Sequence, residues 1–123
     1  IDLQTFDILH KWNPDIDEYF ENIETEAGSK WENLKRDRND FRFRIIHPFL
    51  SDEGNLIFKY GSPLLSIDNS NKLVWMIEDN LHHHSIEKDA DNHIWVPVQF
   101  FPYKIDKKYV GNSIDTFSDD GIR

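Results

Sequence analysis

Short apolar runs alternating with turn-forming tetrads dominate the middle of the chain. Leu56-Ile-Phe-Lys-Tyr60 follows Asp52-Glu-Gly-Asn55, and His93-Ile-Trp-Val96 follows Asp89-Ala-Asp-Asn92. Asp, Asn and Gly tolerate left-handed backbone and cap it with their own side chains, so this order is hairpin chemistry. Ser62-Pro-Leu-Leu-Ser-Ile67 reads as a third strand, with proline at its start, where a missing N–H matters least. Asp68-Asn-Ser-Asn71 makes another turn, and Lys72-Leu-Val-Trp-Met-Ile77 the fourth strand.

Residues 13–40 carry a different period. Ile16, Tyr19, Phe20 and Ile23 fall at i, i+3, i+4 and i+7, one face of a helix. Asn13 precedes proline at the first helical position, an N-cap arrangement, and Ala27-Gly28 closes the run. Ser29-Lys-Trp-Glu32 has the spacing of a capping box opening a shorter helical turn. The expectation is a helical insertion with an acidic outer face; the plainer alternative is a charged loop with one helical turn.

The strand pattern repeats. His47-Pro-Phe-Leu-Ser-Asp52-Glu-Gly54-Asn55-Leu-Ile57-Phe58 aligns with His84-Ser-Ile-Glu-Lys-Asp89-Ala-Asp91-Asn92-His-Ile94-Trp95 at an offset of 37. Pro63-Leu-Leu-Ser-Ile67-Asp68 aligns with Phe101-Pro-Tyr-Lys-Ile105-Asp106 at 38, which implies one inserted residue in a connecting loop. Four short antiparallel strands in about 40 residues is the pattern of a β-propeller blade. The chain then divides into the end of a blade (1–12, with Ile8–Trp12 as its strand), the insertion (13–40), a blade (41–80) and the start of the next (81–123). The expected fold is mainly β: antiparallel four-stranded blades with a helical insertion, forming part of a propeller. Propellers close with four to eight blades, so the sequence reads as truncated at both termini. Unclosed blades expose strand edges, and self-association through them is expected.

Composition narrows the partners. Of 123 residues, 23 are Asp or Glu and 14 Lys or Arg, a formal net charge of −9, which repels phosphate backbones and disfavours nucleic-acid binding. No apolar run approaches the ~20 residues of a membrane-spanning helix. Without cysteine there is no disulfide or thiolate chemistry, and the redox compartment stays unread.

His82-His-His84-Ser-Ile-Glu-Lys-Asp-Ala-Asp-Asn-His-Ile-Trp95-Val-Pro97, together with Ser62-Pro-Leu-Leu and Phe101-Pro-Tyr, resembles the bacterial arylsulfotransferase family. The resemblance implies a six-bladed, periplasmic or extracellular propeller that moves a sulfuryl group from an aryl sulfate to a phenol. No nucleotide donor is involved, and no cofactor is expected. In that family a channel histidine takes up the sulfuryl group, while other histidines and an arginine bind its oxygens. Whether the nucleophile falls within this chain stays open.

Imidazole suits such chemistry. Neutral, it is a nucleophile; protonated, it donates to a sulfate oxygen or to a departing phenolate. The candidates are His84 and His83 as catalytic residues, with His47 and Arg44 as substrate binders. His47 and His84 head equivalent repeats and should face one channel. Arg44 would offer its guanidinium fork to two sulfate oxygens. On a regular strand His82 and His84 point to one face and His83 to the other. The competing readings are structural: histidines capping turns, Arg44 guarding a strand edge, Trp75 and Trp95 packing between blades, and Asp52, Asp89 and Asp91 serving turns. A metal site from His82, His84 and His47 is a weaker alternative, because no Cys or carboxylate stands at ligand spacing. Two other function classes remain: a non-catalytic propeller serving as a binding scaffold, and a metal-dependent propeller hydrolase or lyase.

Overall fold

Three turns built on one hydrogen-bonding plan set the strand boundaries. The computed structural model describes residues 1–32, 34, 45, 47–59, 63–100, 105–109 and 120–122. Ser51, Asp68 and Asp89 each donate their N–H to the carbonyl four residues on, that of Asn55, Lys72 and His93, at 2.9–3.0 Å. The residue just before that partner is left-handed each time: Gly54 at φ 83°, Asn71 and Asn92 at φ 66°. These are three-residue hairpin loops, whose last loop position demands a residue tolerant of positive φ. Asp68 and Asp89 secure their loops from inside. Oδ1 of Asp68 accepts from the N–H groups of Ser70 and Lys72, and Oδ1 of Asp89 from those of Asp91 and His93.

Among the described residues, the short helix α1 (Ile16–Tyr19) precedes the strands β1 (Phe49–Leu50), β2 (Leu56–Phe58), β3 (Leu64–Ile67), β4 (Leu73–Ile77), β5 (Leu81–His82), β6 (Glu87–Lys88), β7 (Ile94–Trp95), β8 (Pro97–Gln99) and β9 (Asp120–Ile122). Strands β1–β4 pair antiparallel in sequence order, as the hydrophobic pattern predicts. β8 pairs with β5 and β9, and β6 with β7, all antiparallel. The protein is mainly β, and the described residues form no closed sheet.

Alternation along the strands gives the first sheet two apolar faces. Leu56, Phe58, Leu65, Ile67 and Met76 meet Tyr19, Phe20, Ile23, Trp31 and Leu34 of the 13–40 segment. Phe49, Ile57, Leu64 and Trp75 meet Ile86, Ile94 and Val96 of the following hairpin. Phe58, Leu65 and Ile67 are completely buried. Strands covered on both faces read as near-continuous apolar runs, which Leu56-Ile-Phe and Leu64-Leu-Ser-Ile are.

Several sequence expectations are corrected. Ile8–Trp12 forms no strand; Ile8 and Leu9 are exposed, and the segment opens with a turn in which Asp2 accepts from the N–H groups of Gln4 and Thr5. The helix is a single turn, capped not by Asn13 but by Asp15, whose carboxylate accepts from the Glu18 N–H at 3.0 Å. Asn13 instead donates its N–H to the Asn71 side chain. Beyond Phe20 the chain proceeds by tight turns, and the Ser29–Glu32 box does not form: Glu32 accepts from the Gly28 N–H, while the Ser29 hydroxyl donates to the Glu24 carbonyl. Between 13 and 32 the regular helix is limited to α1; Leu34 is again helical, and residues 33 and 35–40 lie outside the described residues. The segment's apolar side chains are buried as the 3.6 period requires, because one turn followed by loops still presents them to the sheet.

The repeat offset is also revised. β1 and β2 map onto β6 and β7 at 38 residues: Phe49↔Ile57 and Leu50↔Leu56 become Glu87↔Trp95 and Lys88↔Ile94. Gly54 therefore corresponds to Asn92, not Asp91. The Asp106 turn keeps the same spacing, with Lys108 and Tyr109 bonding to it as Ser70 and Asn71 bond to Asp68. His47 and His84, both left-handed at φ 48° and 57°, keep the offset of 37. The extra residue thus lies between His84 and Glu87, where Ser85-Ile86 stands in place of Pro48.

Candidate functional site

The inserted residue makes the site. β5 and β6 run along a common partner ribbon, β7–β8, but in two registers. Leu81 faces Gln99, His82 faces Val98, and the His83 N–H reaches the Pro97 carbonyl at 3.0 Å. Pairing resumes with Glu87 opposite Trp95. His84, Ser85 and Ile86 therefore stand against Val96 alone, an enlarged β-bulge of the kind that re-aims side chains. Ile86 turns inward and is 7% exposed, while His84 takes a left-handed backbone that few non-glycine residues adopt.

The bulge gives the three histidines three environments. The alternation expected of a regular strand stops at His82. His82 is 2% exposed and His84 is exposed, so the two do not share an environment. His82 lines a cleft of about 310 Å³ between the first sheet and the second hairpin, together with Leu64, Trp75, Ile77, Asn92, Ile94 and Val96. Burial, helped by the nearby Lys59, Lys30 and His83, pushes the His82 pKa down to about 4, against a small opposing effect of the Asn80 backbone. At neutral pH it is an uncharged imidazole, and its Nδ1 has no hydrogen-bond partner among the described residues. His83 is half-buried and meets the His84 ring edge to face, centroids 4.5 Å apart at 65°.

The remaining candidates separate. His47 and His84 are both exposed, and neither lines the cleft that His82 enters. Arg44 lies outside the described residues. His82, His84 and His47 do not cluster as metal ligands. Among the described residues, the group of three whose ligand atoms lie within 4.8 Å of one another is Asp89, Asp91 and His93. That carboxylate is committed to its own turn: Asp89 accepts from two backbone N–H groups, from the Trp95 indole at 2.8 Å and from His93 Nδ1 at 3.1 Å. The Trp95 bond, first among these, holds the Asp89 pKa down at about 2. Trp95 is therefore a turn clamp, 46% exposed, while Trp75 packs between the sheets as expected.

Two further residues belong to this region: His82, weighed from the sequence only as a strand neighbour and alternative metal ligand, and Lys59, not singled out from the sequence. His82 was hidden because its burial depends on where the strand ends. Lys59 carried a visible signal, a lone cation inside the apolar run Leu56–Tyr60. It is 2% exposed, and its ammonium donates to the carbonyl of His84. Desolvation lowers its pKa. Comparison with protein families, with curated protein sequences and with solved structures finds no match to this chain.

Proposed function

We propose that this chain supplies successive blades of a β-propeller whose activity is sulfuryl transfer from aryl sulfates to phenols. The reading rests on the likeness of the His82–Pro97 segment to the arylsulfotransferases. One structural observation supports it above the others: a neutral buried imidazole, a half-buried one and an exposed one follow one another from a strand end into a bulge, beside an apolar cleft. The propeller reading draws support from the 38-residue hairpin repeat and from the face-to-face packing of one repeat on the next. A cleft walled by Trp75, Ile94 and Val96 suits a planar aromatic ring.

In this mechanism a ring nitrogen of His84 attacks the sulfur of the aryl sulfate. A nitrogen–sulfur bond forms as the aryl oxygen–sulfur bond breaks, and the leaving phenolate takes a proton from His83. The acceptor phenol then returns its proton to His83 as its oxygen attacks the same sulfur and releases His84. His47 and Arg44 hold the sulfate oxygens. No oxidant, metal or nucleotide enters the balance.

The test uses the full-length protein that carries this chain. Mixed with an aryl sulfate, it should show by mass spectrometry a sulfuryl group on His84. His84→Ala should lower turnover about 10²-fold or more, the scale of a lost nucleophile or acid–base group. Unchanged turnover in that variant removes His84 from the reaction. Binding of phenols without any turnover would identify a non-catalytic binding module instead.

A further inference from the structure

Lys59 stands out as a buried cation that the proposed chemistry does not use. It directly follows β2, whose last residue, Phe58, is completely buried, and is itself 2% exposed. Lysine is rarely so buried unless its charge has a partner. Among the described residues no carboxylate reaches it; the three ion pairs found there are Lys88–Asp52, His93–Asp89 and Lys108–Asp106. Its ammonium crosses instead from the first repeat to the second, onto the carbonyl of His84.

The choice of that carbonyl is informative. His84 is the left-handed residue of the bulge, at φ 57°. A bulge backbone in this region is held only where surrounding contacts fix it. The His84 carbonyl belongs to the stretch facing Val96 alone, so the strand ladder does not occupy it in the regular way. An ammonium bond to a carbonyl is charge-assisted and stronger than a neutral one. The donor directly follows a strand of the first sheet, whose position is set by packing on both faces.

We infer that Lys59 is a positioning residue: by holding the His84 carbonyl it fixes the bulge, and with it the direction of the His84 imidazole and its edge contact with His83. The inference rests on the reading of His84 as the reacting residue. Lys59 itself touches no reacting atom. It acts as a rigid post on the first repeat for a side chain of the second, which makes the site depend on the packing of two repeats.

The experiment has two arms in the full-length protein. Lys59→Met keeps the length and apolar stem and removes the donor; Lys59→Arg keeps a donor. In the first arm, backbone NMR shifts report the His84 conformation. Lys59→Met should move the His84 shifts away from left-handed values while leaving those of Leu65 and Val98 native, and Lys59→Arg should retain them. In the second arm, Lys59→Met should lower kcat about 10²-fold, the cost of a misplaced reacting group, with KM nearly unchanged, and Lys59→Arg should restore part of it. Native His84 shifts in Lys59→Met, or native kcat, overturn the inference. Should Lys59→Met fail to fold, Lys59→Arg decides, since altered His84 shifts there also overturn it. If the unsubstituted protein turns over no aryl sulfate, the functional reading fails, and the NMR arm alone judges the role of Lys59.

Discussion

The hairpin of β1 and β2 and the hairpin of β6 and β7 share a turn plan and a register, yet their surroundings differ. The first continues into a four-stranded sheet with apolar partners on both faces; Phe58 is 0% exposed. The second covers one face of that sheet, and its Trp95 is 46% exposed. One inserted residue accompanies the difference. Where the first repeat passes from His47 through Pro48 to Phe49, the second passes from His84 through Ser85 and Ile86 to Glu87. Ile86 takes the buried place beside Val96, and Glu87, equivalent to Phe49, is exposed. A repeat that builds the core thus differs from one that displays side chains by a single bulge.

That contrast is sharpest under truncation of its aromatic residues. Phe58→Ala should cost about 3–5 kcal/mol, as expected for a buried phenylalanine that leaves a cavity. Trp95→Ala should cost only about 1 kcal/mol, chiefly through the lost bond to Asp89. Urea unfolding of the two variants measures both. Equal losses would mean that the second hairpin is as integral as the first.

Acid should act through the boundary between the repeats. The folded pKa of His82, about 4, lies below the ordinary 6.5. Between these values the unfolded chain binds the extra proton, so stability falls as pH falls through this window and the contribution is complete above it. The shift corresponds to roughly 3 kcal/mol at 1.36 kcal/mol per unit. His82→Leu should flatten the loss between pH 6.5 and 4, read as the difference in unfolding midpoints between variant and parent. An unchanged pH slope would show that His82 is solvated in solution.

The turns should respond alike in the two repeats. Gly54→Ala and Asn92→Ala should each cost about 1 kcal/mol, the penalty of a left-handed backbone for an alanine. Around Gly54 an added Cβ meets nothing within 4 Å, so the cost there is conformational. A cost at one turn and none at the other, in thermal unfolding, would break the equivalence at 38 residues. The smallest effect belongs to the Lys88–Asp52 bridge between the two hairpins, 2.7 Å long with side chains 28% and 74% exposed. Removing either partner should cost under ~1 kcal/mol and the effect should fade at high salt.

Much of this architecture was legible beforehand, for a local reason. Asp68 and Asp89 make their turns with atoms two to four residues away, so those turns can be read from a handful of letters. The four strands between 49 and 77 followed from the turns and from uninterrupted apolar runs. The repeat was legible too, although identity misplaced the insertion: Asp52 matches Asp89 by name, while Ser51 matches it by hydrogen bonding. The candidate site was less legible. His83 and His84 were singled out as adjacent imidazoles, but neither the burial of His82 nor the reach of Lys59 is written in the local pattern.

By itself the sequence determined the mainly β class, the antiparallel order of the first sheet and the places where the chain turns, because each depends on short-range periodicity and on side chains bonding their own backbone. Tertiary structure decided how far α1 extends, since the sheet accepts the Tyr19, Phe20 and Ile23 side chains from a single turn as well as from a longer helix. It also decided which histidine is buried. That outcome hangs on the pairing of Val98 with His82 across the sheet, on the extra residue between His84 and Glu87, and on a lysine from the preceding repeat. These contacts join parts of the chain that no short window contains.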